Sequence, residues 1–115
     1  MKINLSTRLV ILIGNYVFKI PINFAGYMQS ENESYLYKKY KDLGMLGKIH
    51  WSFLGIICMK RYQPVKRVLK SYIKGIQMVI PELDVVNHDL GIVHNWGKED
   101  GYFVLVDYGI KQFKG

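Results

Sequence analysis

The sequence predicts an α+β fold in one domain: a small antiparallel sheet with one N-terminal helix, then an amphipathic helix and a β-hairpin. Three observations lead there. Short β-rich runs flank the two-residue turn signals Gly14-Asn15 and Asp100-Gly101, the pattern of tight hairpins. Apolar residues between Val65 and Ile80 recur at i, i+3, i+4 and i+7, the period of a helix with one buried face. The chain has 115 residues, of which 50% are hydrophobic and 14% aromatic, enough to bury a core and too apolar for disorder.

Arg8 to Ile13 is rich in β-formers and is followed across Gly14-Asn15 by Tyr16 to Ile20, which Pro21 closes. Alternation puts Tyr16, Phe18 and Ile20 on one face and Val17 and Lys19 on the other. Ser30 and Glu33 fit a capping box opening a helix to about Leu43, with Leu36, Tyr37, Tyr40 and Leu43 as its buried stripe. Glu33 shares that face, so it either caps the helix or points inward, and a start near Ala25 would free it. Gly44 and Gly47 bracket a loop. Lys48 to Ser52 and the nearly all-apolar Leu54 to Lys60 read as strands, the second buried, and Trp51 is expected in the core. Val65 to Ile80 forms the best helix, ended by Pro81. Its polar face carries Lys66, Arg67, Lys70 and Lys74.

Charge is unevenly placed. Residues 44–80 hold seven basic side chains and no acidic one, whereas residues 81–115 hold six acids against three bases. Such asymmetry steers charged partners. The lone Cys58 forms no internal disulfide and sits in an apolar run, which fits a reducing cytosol. Lys2, Arg8 and the run Leu9 to Ile13 mimic a signal peptide, but the run is too short and no small-residue cleavage site follows. No apolar stretch approaches membrane-spanning length.

The chemistry concentrates between Asn87 and Gly109. His88-Asp89 opens this stretch, Asn95-Trp96-Gly97 closes a short apolar run, and the turn Lys98 to Gly101 leads into the strand Tyr102 to Val106, which delivers Asp107-Tyr108-Gly109. A hairpin here brings Asp89 and Asn95 within reach of Asp107. An amide and carboxylates on one spot suit a hard cation such as Mg²⁺.

This segment resembles the catalytic-loop and metal-loop unit of the protein-kinase-like fold. Asn95 matches the family's metal-binding Asn, and Asp107-Tyr108-Gly109 matches its D-F-G. The run from His94 to Gly109 is similar to small bacteriophage-encoded kinase-like proteins. The order of the remaining signals agrees across nearly the whole chain: "YVFKIP" resembles the strand whose Lys, here Lys19, meets nucleotide phosphates; Glu33 matches the helix Glu that pairs with it; Met59 to Pro64 resembles the adenine-binding hinge. The resemblance therefore implies a minimal kinase-like fold, with residues 1–62 as its sheet-and-helix half and 63–115 as helix plus hairpin, and it implies ATP and Mg²⁺ as cofactors. Two departures matter. The family's catalytic Asp leads its Asn by about five positions, whereas Asp89 stands six ahead and position 90 is Leu. No glycine-rich loop precedes Lys19; Asn4-Leu5-Ser6-Thr7 stands there.

With six residues after Gly109 and no room for a substrate-binding lobe, the resemblance points to a non-catalytic, truncated phage module acting in the host cytoplasm. It would bind and inhibit a host protein, such as a nucleic-acid-binding, CRISPR-type defence effector, with Lys66, Arg67, Lys70 and Lys74 as partner contacts. Two alternatives remain. In a working phosphotransferase, Lys19 and Glu33 hold phosphates, Asn95 and Asp107 bind Mg²⁺, and Asp89 accepts the hydroxyl proton. In a direct nucleic-acid binder the basic helix face does the work. Zinc at His88, Asp89, His94 and Asp107 matches no standard ligand spacing, and no G-x-S-x-G elbow supports a hydrolase. No motif encodes the partner's identity or the oligomeric state.

Overall fold

The computed structural model describes residues 2–5, 7–85 and 88–109; Ser6 and Asn87, which the sequence reading placed in the phosphate-loop position and at the head of the hairpin stretch, lie outside them. The architecture is α+β. Strands β1 (Lys2–Leu5), β2 (Arg8–Ile13), β3 (Tyr16–Pro21), β4 (Ile49–Phe53) and β5 (Ile56–Lys60) form one antiparallel sheet in the order β1-β2-β3-β5-β4. Strands β6 (Gln63–Pro64), β7 (Trp96–Glu99) and β8 (Tyr102–Leu105) form a second, smaller one. Helix α1 (Phe24–Tyr40) connects β3 to β4, and α2 (Lys70–Val79) lies between β6 and β7. Among the described residues no helix is long and apolar enough to cross a membrane.

Three two-residue turns set the register. Gly14 takes a φ of 56° between paired Ile13 and Tyr16. Asp100 and Gly101, at 50° and 84°, close β7–β8, a left-handed pair that matches the twist of the flanking strands. Leu54 and Gly55, at 51° and 83°, do the same for β4–β5. The second predicted strand there accordingly begins at Ile56, since Leu54 and Gly55 are the turn. Strand β1 carries no alternation strong enough to reveal it in the sequence; it pairs with β2 from Lys2↔Leu12 to Leu5↔Leu9.

Helix α1 takes the earlier of its two expected starts, and α2 departs from its expected one. Helix α1 starts six residues before Ser30, at Phe24, and Asn23 caps it by accepting from the Gly26 amide at 2.9 Å. Ser30 and Glu33 are therefore interior residues, and the capping box is overturned. The face that α1 buries carries Gln29, Ser30, Glu33 and Leu36, so polar residues dominate the stripe that apolar spacing was expected to mark. Leu36 is fully buried, but Leu43 falls in a 3-10 turn and is 47% exposed. Helix α2 begins at Lys70 instead of Val65. Gln63 and Pro64 are paired with Lys98 and Gly97, Val65 is buried behind them, and Lys66, Arg67 and Lys70 would place like charge on the positive end of a longer helix dipole. The four cations thus do not share a helix face. Lys70 and Lys74 are one turn apart on α2, Lys66 and Arg67 lie in the connector before it, and all four are exposed.

One core joins the two sheets: Leu36, Ile57, Met59, Ile76, Ile80, Leu90, Trp96, Leu105 and Tyr108 belong to a single buried cluster. The segment from Met45 to Gly47 stitches the sheets together, the Leu105 amide donating to Met45 O at 2.9 Å and the Gly47 amide to Leu105 O at 2.7 Å. The Tyr108 hydroxyl donates to Gly47 O at 2.9 Å, which satisfies its polar end inside the core.

Candidate functional site

Lys19 sits mid-strand on the α1 side of the large sheet and is only 4% exposed. Lysines on strands are mostly solvated, and this one is not. Glu33, one helical layer away, is fully buried. The Lys19 ammonium donates to Glu33 Oε1 at 2.9 Å and to the Val106 carbonyl at 2.8 Å, and lies 3.7 Å from Asp107 Oδ1. The other Glu33 oxygen, Oε2, accepts from the backbone amides of Tyr108 and Gly109 at 2.9 and 3.0 Å. Three residues separated by most of the chain thus meet in one place, because Glu33 ties β3 to the segment that follows β8.

The sequence reading missed the fourth member. Arg8, 5% exposed, reaches over the cluster. Its Nη2 donates to Asp107 Oδ1 at 2.9 Å, and its Nη1 donates to Glu33 Oε1 and Ser30 Oγ, both at 3.3 Å. A lone Arg opening an apolar strand gave no hint of this role; only the early start of α1 brings Ser30 and Glu33 beneath it. Close backbone approach makes the arrangement possible. A Cβ on Gly26 would sit 2.0 Å from the Thr7 carbonyl oxygen, and one on Gly109 would sit 2.4 Å from Gln29 O. Thr7 and Gln29 are also joined by a side-chain hydrogen bond.

Two cations and two carboxylates balance one another here. Burial lowers the pKa of the Lys19 ammonium from the usual lysine value, although Glu33 and Asp107 work against that shift. Burial also disfavours the Arg8 charge, but Glu33 and Asp107 outweigh it, and the guanidinium's pKa is raised.

Asn95 links the Asp89 loop to the segment after β8 through backbone contacts. Asn95 is buried, its side-chain Nδ2 donates to the Asp89 backbone carbonyl at 2.8 Å, and its backbone carbonyl accepts from the Val106 and Asp107 amides at 2.8 and 3.3 Å. Asp89 takes a left-handed φ of 49°, which bends the chain ahead of Leu90. His88 holds this loop to α1: Nδ1 accepts from the Asp84 amide at 3.0 Å, which makes Nε2 the donor toward Asn32 Oδ1 at 3.4 Å.

The charges of the cluster are already paired within it. Two of the three Lys19 ammonium hydrogens go to Glu33 and Val106, and Asp107 Oδ1 stands 3.7 Å away. A divalent cation at Asp107 would lie against the Arg8 guanidinium, so two positive groups would compete for one carboxylate. Among the described residues no group of three His, Cys, Asp or Glu side chains is arranged to hold a metal ion. The predicted partner contacts Lys66, Arg67, Lys70 and Lys74 lie apart from this cluster, on the exposed approach to and first turns of α2. No protein-family model, curated protein or solved structure matches the chain.

Proposed function

We propose that this chain is a non-catalytic, kinase-like binding module that acts on a bacterial host protein in the cytoplasm. The observation that carries this reading is the Arg8 guanidinium bound to Asp107 and Glu33. It turns the lysine, glutamate and aspartate of a kinase-like cleft into a closed, charge-balanced brace between sheet, helix and hairpin. The brace has a structural use, since it fixes the last described segment against the sheet. Asp89, for its part, meets Asn95 through its backbone carbonyl.

The partner surface we infer is the exposed basic strip Lys66, Arg67, Lys70 and Lys74. In a host defence effector that handles nucleic acid, such as a CRISPR-type complex, such a strip would mimic or compete for contacts normally made to nucleic acid. Affinity capture from a bacterial lysate, read by mass spectrometry, tests this. The wild-type chain retains one dominant host protein, and the quadruple charge reversal of the four cations loses it. Capture of nucleic acid alone, with binding that falls steeply with salt, would support direct nucleic-acid recognition instead.

The convergence of Lys19, Glu33 and Asp107 favours one competing reading, an ATP- and Mg²⁺-dependent phosphotransferase. Thermal shift separates the two. A nucleotide at about 100 times its Kd stabilises a fold by roughly 2.7 kcal/mol. A Mg-ATP-dependent shift that Asp107→Ala abolishes would overturn the non-catalytic reading.

A further inference from the structure

Apolar side chains meet water in several places. Trp51, expected in the core, is 49% exposed on the face of the large sheet opposite Lys19, in the row Phe18↔Cys58↔Trp51. A groove of about 310 Å³ beside α2 differs from such places in what borders it. Met45, Tyr72, Gly75, Ile76, Trp96 and Phe103 line it, and it runs directly into the basic strip. Ser71 and Gly75 stand at its rim and follow Lys70 and Lys74 in the chain, so the two lysines leave the helix about 100° around from that rim.

The walls are aromatic carbon. The Tyr72 and Phe103 ring centroids are 4.8 Å apart, with the planes at 47°. The Trp96 indole nitrogen already donates to the Leu90 carbonyl at 2.8 Å, so its polar end is used inside the fold. Gly75 is the informative residue. Glycine in mid-helix weakens the helix relative to alanine, and packing does not ask for it, since a Cβ there would meet nothing within 4 Å. At Gly26 and Gly109, by contrast, backbone stands in the way. What Gly75 does is leave the groove open, because a larger side chain at that position would stand in it.

We infer that the groove receives one aromatic side chain of the host protein, and that acidic residues beside that ring meet Lys66, Arg67, Lys70 and Lys74. This deepens the binding-module reading and rests on it. The volume lies at the small end of the roughly 300–1,000 Å³ of ligand pockets and suits a single large side chain. A ring seated in a pocket with charged contacts around it is the usual anchor of a protein interface, and acidic groups are what four exposed cations complement. The two ends of the groove differ in charge. Lysines flank it on the α2 side, whereas at the hairpin side it meets Gly101, which the exposed Asp100 precedes. A polypeptide can set its acids on one side of the anchor. A nucleic-acid strand carries a phosphate at every residue and would run some of them past Asp100, which disfavours bases stacking on Tyr72 and Phe103.

Fluorescence anisotropy of the full chain with two labelled peptides tests this. One peptide carries a single Phe beside a run of Glu, and the other has Ala in place of the Phe. The Phe peptide should bind at least about tenfold more tightly. Gly75→Leu fills the groove while keeping the wild-type circular dichroism spectrum, and it should remove that advantage without changing the affinity for the Ala peptide. Gly75→Ala adds one methyl group and should keep most of the advantage, which separates groove filling from a stiffer helix. Equal affinity for the two peptides, or no binding of either, overturns the inference, as does a Gly75→Leu variant that still prefers Phe. An oligothymidylate whose binding Gly75→Leu abolishes overturns it too, in favour of single-stranded nucleic acid. Charge reversal of the four cations that leaves both peptides bound removes the host-partner reading itself; equal peptide affinities that charge reversal abolishes remove the groove alone.

Discussion

Glu33→Gln isolates what the buried charge cluster is worth. The carboxylate receives four hydrogen bonds: Lys19 and Arg8 on Oε1 at 2.9 and 3.3 Å, and the Tyr108 and Gly109 amides on Oε2 at 2.9 and 3.0 Å. A glutamine keeps the shape but offers one oxygen. Whichever way the amide turns, its NH₂ faces two donors, and the two cations share only Asp107 as a counter-charge. Removing one partner of a buried ion pair costs roughly 3–5 kcal/mol, and each orphaned backbone amide about 1–3 kcal/mol; relaxation of the partly exposed Asp107 end brings the expected loss to about 4 kcal/mol. For a chain of this length, with total stability on the order of 6–17 kcal/mol, that lowers the thermal midpoint by about 15 °C. Urea denaturation at pH 7 measures it directly. In a Lys19→Met background the same substitution should cost about 2 kcal/mol less, because no uncompensated ammonium is left behind. The sign with pH is fixed as well. The folded-state pKa of Lys19 lies below its unfolded value, so the unfolded chain binds more protons, and the variant regains stability as pH rises toward the lysine range. A loss under about 1 kcal/mol, or no coupling to Lys19, would refute a dry, charge-balanced brace and with it the argument that the cleft is closed.

Three further outcomes follow from particular contacts. Gly26→Ala drives a methyl group to 2.0 Å from the Thr7 carbonyl oxygen, which must push α1 away from the β1–β2 connection; a loss of about 2–4 kcal/mol in urea titration is expected, and a neutral result would mean that this close approach is absent in solution. Leu54→Asn relieves a branched side chain held at φ 51° while 72% exposed and should stabilise by about 0.5–1 kcal/mol, seen as a raised thermal midpoint. Glu82, bonded first to Lys39 and then to the Tyr40 hydroxyl, has its pKa lowered from the ordinary 4.5. Its contribution is present above that value and is lost as pH falls through the folded-state pKa. The thermal midpoints of wild type and Glu82→Gln should therefore differ at pH 6 and converge in acid; a gap independent of pH would assign the effect to something other than this carboxylate.

Local physics alone settled the mixed α+β class, the Gly14 and Asp100-Gly101 turns, the alternation that sets Lys19 opposite Phe18, and the helix that Pro81 ends. These are rules about neighbours: two-residue turns need left-handed backbone, and side chains on a strand alternate. The start of α2 and the polar face that α1 buries were not legible in that way. Helix α1 buries Gln29, Ser30 and Glu33, and hydrophobic periodicity is blind to a polar stripe that becomes buried only because Arg8 and Lys19 wait across the interface. The same limit hid Arg8, whose partners lie 22 to 99 positions away in the chain, and it misassigned Trp51, since an apolar residue on a strand does not declare which sheet face a helix will cover. The kinase-like resemblance implied that Lys19, Glu33 and Asp107 meet; tertiary structure decided that they meet under a guanidinium. Burial makes every charge in such a place seek a partner, and which partner arrives is a matter of three-dimensional proximity that no local pattern records.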